Sequence, residues 1–325
     1  MFQRPPLLAE IWQAHTRIRP YIFRTPLRRS LAASEAADAD VFLKLENWQP
    51  TGSFKVRGAF NLLMQLSPKE IERGLVAASA GNHGSAVGYA TQQMHIPNVH
   101  IFVPSNTPRA KVNKMRRLGV NVHEVGETYD DAHHAAAEFE RATGATFVHA
   151  YDDARTAAGA GTTVLEVLED APDLDAVLVP VGGGGLISGI AVALKSLAPK
   201  TRVYGVQPDA SPALHDSLRD HVCYEEYAAA PTICDGLAGG IGQIVYEVAL
   251  QQLIDDVLIV SESAVQRAVA SFVRDEQLIV EGASAVGLAA LHEFPNLFKN
   301  KRVALVITGA NMDAARLAEI IDANR

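Results

Sequence analysis

The feature that most restricts the fold lies at residues 176–197. An unbroken apolar segment, AVLVPV, runs into four consecutive glycines and then into LISGIAVALKSL, whose apolar positions recur at helical spacing. A strand that is apolar on both faces is one that helices cover from both sides, as in a parallel sheet. The same alternation recurs through the 325 residues. Strands are expected at 41–46, 75–79, 99–103, 120–125, 176–181, 202–207 and 302–307. Helical patterns at 82–93, 108–118, 127–142, 156–170 and 185–197 lie between most of them. The fold class is therefore α/β.

Length and charge narrow the function. At roughly 150 residues per domain, the chain has room for about two. Lys and Arg number 29 against 37 Asp and Glu, a net charge of −8. That balance argues against a nucleic-acid partner, which needs basic surface, and against an anionic membrane. Neither a secretory leader nor an 18-residue apolar run is expected. The expectation is therefore a cytoplasmic protein acting on a small molecule, its domains interwoven and without an appended regulatory domain. The two cysteines, Cys223 and Cys234, lack zinc-site spacing and read as small core thiols.

Four places carry candidate chemistry. In Gly182, Gly183, Gly184, Gly185 and Leu186 the strand–glycine–helix order makes a phosphate cradle. Glycine permits close backbone approach and positive φ, and the N–H groups of a helix start face an anion. A dinucleotide fingerprint is poorly met, because its third glycine falls on Ser188 and the next strand ends in Gln207, with Asp209 beyond it. A Walker lysine is missing. One isolated phosphate fits better.

Lys55, in ENWQPTGSFKVRGAF, is expected in the first turn of a helix that Ser53 caps. The helix dipole disfavours a cation there, and electropositive surroundings lower an amine's pKa and sharpen it as a nucleophile. In SAGNHG, backbone N–H groups of Ala80, Gly81, Asn82 and His83 form a second anion site, sized for a carboxylate. The Asn82 side chain can donate to a phenolic oxygen. Thr308 closes the last strand, where its hydroxyl can donate to a heterocyclic nitrogen. Each of these, taken alone, also reads as an ordinary surface lysine, loop or buried threonine.

In this order, TPL at 25–27, LKLENWQPTGSFKVRGA, SAGNHG, the AGAGT that ends at Thr162, GGGGL and ITGAN resemble the fold-type II pyridoxal-phosphate enzymes. Within them the chain is similar to the serine/threonine dehydratases, since His83 stands where the cysteine-synthase branch has threonine. The resemblance spans essentially the whole chain. It implies two α/β domains of open twisted sheets, like the tryptophan synthase β fold. A large cofactor-binding domain would comprise 1–72 with 149–325, and a small mobile one 73–148. It further implies a homodimer and pyridoxal 5'-phosphate held as a Schiff base on Lys55. Gly182 through Leu186 would bind its phosphate, Phe54 would pack beside its ring, Asn82 would meet the ring oxygen and Thr308 the ring nitrogen. Ser79, Ala80, Gly81, Asn82 and His83 would receive the substrate carboxylate. The implied reaction is α,β-elimination from a β-hydroxy-α-amino acid, giving a 2-oxo acid and ammonia.

Departures from the family pattern refine this. Ala80 replaces the serine that serves related serine racemases as a second base, which counts against racemisation. Gln207 and Ala213 stand where those racemases carry metal-binding carboxylates, so no metal is expected. Ala160 replaces a usual glutamine and ITGAN a usual SGGN. Both remove bulk or polarity near the expected pocket and hint at a β-substituent larger than methyl, as in L-threo-phenylserine. An amino acid racemase, a β-replacement enzyme and a non-catalytic phosphate-ligand sensor are the competing readings. HEVGETYDDAHH collects His123, Glu124, Asp130, Asp131, His133 and His134 but matches no zinc spacing. It reads as a strand end entering a solvated helix, and Lys111, Lys114, Arg116 and Arg117 read as a solvated basic helix face.

Overall fold

The computed structural model describes residues 3–79 and 81–324. Among the described residues ten strands form two sheets. They are β1 (Leu27–Arg29), β2 (Asp40–Lys44), β3 (Leu75–Ala78), β4 (Val99–Val103), β5 (Asn121–Glu124), β6 (Thr146–Phe147), β7 (Ala176–Pro180), β8 (Arg202–Pro208), β9 (Asp256–Val260) and β10 (Arg302–Val306). One sheet runs β1-β2-β10-β7-β8-β9, parallel except for β1, and the other runs β5-β4-β3-β6, parallel throughout.

All seven expected strands form, as do the five expected helices. Each helix matches its pattern to within two residues at either end. Three strands went unread. β1 and β6 are three and two residues long and carry no usable period, while β9 is the short apolar run DVLIV, which lies outside the expected strands.

Helices cover both faces of the larger sheet. One core gathers Leu178, Tyr204, Val206, Leu305 and the Gly282–Glu293 helix, and the other gathers Val177, Val179, Val203 and the helices Ala154–Asp170 and Gly185–Leu197. A third core lies between the smaller sheet and the helices Lys55–Leu63 and Asn82–Gln93. The central strands β7, β8 and β10 are thus buried almost throughout, as apolar strands between two layers of helices are.

Strand order decides where chemistry can sit. β10 lies between β2 and β7, so three segments distant in sequence leave the sheet side by side at their carboxyl ends. In parallel α/β sheets ligands gather at such ends, where connections diverge. Among the described residues no helix is long and apolar enough to cross a membrane. None of their His, Cys, Asp and Glu side chains form a group of three or more that could hold a metal ion.

Candidate active site

The turn after β7 carries the four glycines. Gly184 has φ of +90°, a conformation open to glycine at little cost, and a side chain there would also strike Val245. Gly183 is held by contact instead, because a Cβ would stand 2.4 Å from the Tyr151 ring. Among the described residues, none of the N–H groups of Gly182, Gly183, Gly184, Gly185 and Leu186 finds an acceptor. A bare backbone cradle at a helix start, which any Cβ would fill, fits a phosphate.

Thr308 leaves β10 beside this turn. Its Oγ1 lies 2.9 Å from Ser284 Oγ, which donates to the Gly309 carbonyl at 2.7 Å. The same strand end fixes the approach to Lys55. Ser53 bridges Gly309, and the Phe54 N–H donates to the Thr308 carbonyl at 3.0 Å. The expected Ser53 cap does not form: the helix starts at Lys55, Phe54 is its cap residue, and the Ser53 hydroxyl has no partner among the described residues. Backbone contacts to Thr308 and Gly309, and not a side-chain cap, hold the entry to this helix.

Lys55 is half-buried, donates from Nζ to the Ala150 carbonyl at 3.0 Å, and lies 5.2 Å from the Phe54 ring centre. Burial pushes its ammonium down to about 8, and the charge of Glu281 opposes that shift. Two residues on, Arg57 anchors the same helix to a buried set of charges, Lys44, Glu46 and Glu166.

The SAGNHG turn joins β3 to the Asn82–Gln93 helix, and Ala80 lies outside the described residues. Ser79 serves the turn, its hydroxyl accepting from the N–H groups of Gly81 at 3.0 Å and Gly84 at 2.7 Å. Gly81 is therefore not a free donor, which corrects the expected cradle. The N–H groups of Asn82 and His83 have no acceptor among the described residues. The His83 ring donates from Nε2 to the Val148 carbonyl at 2.8 Å, and burial pushes its pKa down to about 3. It is neutral.

Asn82 is held by neighbours that its motif did not reveal. Its Nδ2 donates to both oxygens of Glu281, at 2.8 and 3.0 Å, and its Oδ1 accepts from Asn311 at 2.7 Å. Lys114 in turn donates to Asn311 Oδ1 at 2.8 Å. Glu281 is buried, and desolvation together with the charge of Asp235 pushes its carboxyl up to about 7.

One cavity gathers these groups. Phe54, Lys55, Ser79, Gly81, Asn82, His83, Gly182 through Leu186 and Thr308 all line it. Lys111, Tyr129, Tyr151, Asp235 and Glu281 line it too, and no local pattern marks any of them for this place. Three expectations are corrected here. Ala160 is not part of the lining; it is buried between helices in the larger sheet's core, so its small size opens no space for substrate. Lys111 lines the site and Lys114 is tied to Asn311 beside Asn82, so these two are not a solvated face, whereas Arg116 pairs with the surface Glu124. Cys234 is buried, but Cys223 is only half-buried.

Comparisons with known proteins agree with this geometry. Residues 18–309 match the family described as pyridoxal-phosphate dependent enzyme. An L-threonine ammonia-lyase of Thermotoga maritima is 40% identical over 316 residues, 97% of this chain and 78% of that protein. The structure of maize serine racemase superimposes with a TM-score of 0.89 at 30% identity, covering 98% of each chain. That of a threonine deaminase from T.th. gives 0.88 at 34% identity, covering 95% of this chain and 99% of that one.

Proposed function

The chain belongs to the pyridoxal-phosphate dependent enzymes, and on that footing we propose that it is a dehydratase of β-hydroxy-α-amino acids. It would convert them to a 2-oxo acid and ammonia. L-Threonine and L-serine are the first candidate substrates, with bulkier threo-3-hydroxy amino acids such as L-threo-phenylserine beside them. The observation that carries the reading is the meeting of Lys55 with the bare glycine turn and Thr308 in one cavity.

The residues present fit the cofactor. The N–H groups of Gly182 through Leu186 would hold its phosphate, Lys55 would bind its carbonyl carbon, and Asn82 and Thr308 would meet its ring oxygen and nitrogen. When bound, pyridoxal phosphate supplies an electron sink for bonds broken at the substrate's Cα.

The protein's own groups do the rest. An amine whose pKa is about 8 is partly unprotonated near neutrality, so Lys55 Nζ can take the proton from Cα. Ser284 holds the Thr308 hydroxyl, a neutral partner that would leave the cofactor's ring nitrogen without the counter-charge of a carboxylate. The helix start at Asn82 and His83 receives the substrate carboxylate. In this reading residues 73–148 close over 1–72 and 149–325 and exclude water from the cavity.

A racemase needs acid–base groups on both faces of Cα, and an alanine at position 80 has no acid–base group to supply one. The deciding assay is 2-oxo acid release from L-threonine and L-threo-phenylserine, side by side, with cofactor-loaded protein. Release from either, lost in Lys55→Ala, supports the proposal. Loss of chirality at Cα without 2-oxo acid would replace it with a racemase.

A further inference from the structure

Besides Lys55, one other lysine lines the cavity. Lys111, on the helix Arg109–Arg117, has its ammonium 2.5 Å from Asp235, a half-exposed residue that also lines the cavity. Its chain runs along the SAGNHG turn. A Cβ built on Gly81 would stand 3.2 Å from Lys111 Cδ and 3.5 Å from its Nζ. The amine thus shares a corner of the cavity with the Asn82 and His83 N–H groups, which have no acceptor among the described residues.

Two sources of positive potential converge there, a helix start and a full charge. The two nearby carboxylates are already assigned. Glu281 accepts from Asn82, and Asp235 holds Lys111 by one contact at a solvent-facing position. An ion pair with an exposed partner is weak and readily exchanged. The amine is well placed all the same, because Lys114, one turn on, is tied to the Thr51 carbonyl and Asn311 Oδ1, each at 2.8 Å.

We propose that Lys111 binds the α-carboxylate of the amino acid substrate, with Asp235 as the counter-ion it exchanges for that carboxylate. The inference rests on the dehydratase reading and adds to it a side chain that distinguishes amino acids from amines lacking the acid. With substrate absent, Asp235 keeps the ammonium paired and aimed at Gly81. With substrate bound, the carboxylate bridges the helix start and Lys111, and Asp235 returns to solvent.

The test titrates the visible absorbance of the cofactor-loaded enzyme with L-threonine and with L-threoninol, which lacks the carboxylate. Loss of one charge-assisted hydrogen bond should weaken threonine binding to Lys111→Met by about 10- to 100-fold. Threoninol binding should be unchanged, and Lys111→Arg should restore threonine to within a few-fold. Asp235→Asn removes the competing anion and should tighten threonine alone. Equal weakening of both ligands in Lys111→Met, unchanged threonine affinity there, or weaker threonine binding in Asp235→Asn each overturns the inference. A wild-type protein that takes up no cofactor colour overturns the dehydratase reading itself, a result these variants cannot mimic.

Discussion

Arg57 meets Glu46 side-on, its Nε 2.7 Å from one carboxylate oxygen and its Nη2 2.8 Å from the other, with both side chains wholly buried. Glu166 accepts from the same guanidinium at 2.8 and 2.9 Å, and Lys44 completes the set. Two cations and two anions cancel inside the protein, two residues from Lys55. Replacing Arg57 by Met leaves two buried carboxylates with only Lys44 between them. We expect a loss of about 3–5 kcal/mol in unfolding free energy, the usual cost of stripping one partner from a buried pair. Urea denaturation measures it, and a change below about 1 kcal/mol would show that the network contributes little.

Lys55 sets the pH at which the cofactor-free protein captures pyridoxal phosphate. Only the unprotonated amine attacks a carbonyl, so the rate of colour formation should rise with a midpoint near pH 8. Stopped-flow absorbance across pH 6–10 reads this directly. A midpoint near 10.5, the ordinary lysine value, would mean that burial does not act on this amine. Lys55→Ala should stay colourless throughout.

Glu281 gives stability a pH dependence of known sign. Its carboxyl titrates at about 7 in the folded protein against 4.5 ordinarily, so the folded state binds the proton more tightly. Below pH 4.5 both states are protonated and the group contributes nothing. As pH rises to 7 the unfolded chain ionises first and stability falls, and above 7 the penalty is constant. Glu281→Gln keeps an acceptor for Asn82 and removes the penalty. In the cofactor-free protein it should gain on the order of 2–3 kcal/mol over wild type at pH 8, and almost nothing at pH 4.5. Paired denaturation curves at the two pH values check this.

The glycine turn should reject methyl groups at Gly183 and Gly184 for different reasons. Gly183→Ala drives a Cβ into the Tyr151 ring, which lines the cavity, so the turn or the ring must shift. Gly184→Ala adds backbone strain of about 1–2 kcal/mol at positive φ, besides a clash with Val245. Calorimetry should show a lowered Tm for both, and equilibrium dialysis a weakened affinity for pyridoxal phosphate. A Gly183→Ala protein with unchanged cofactor affinity would sink the cradle assignment.

Much of this was legible in one dimension. Apolar runs and helical spacing located seven strands and five helices, because desolvation by a parallel sheet leaves a periodic trace in the residues themselves. Lys55, the glycine turn and Thr308 were also legible, because each sits at a strand end where its flanking pattern signals a turn. Local pattern misled where a residue's neighbours come from elsewhere. Ser53 looked like a cap, yet it bridges Gly309 from a distant strand end and the helix starts beyond it, at Lys55. Lys111 and Lys114 looked like surface charge until Asp235 and Asn311, more than a hundred residues on, took them as partners. Ala160 looked like a pocket residue and is packed between helices.

By itself, then, the sequence determined the α/β class, the places where the chain turns, and the residue types offered at those turns. Tertiary structure alone decided which turns share a cavity, through the placing of β10 between β2 and β7 and the closeness of β3's turn to Glu281 and Asp235. It also decided the charge states, Lys55 lowered and Glu281 raised. The physical reason is that periodicity and turn chemistry are local, within a few residues of chain. Desolvation and Coulomb fields depend on distance through space, which the chain sets only once it has folded.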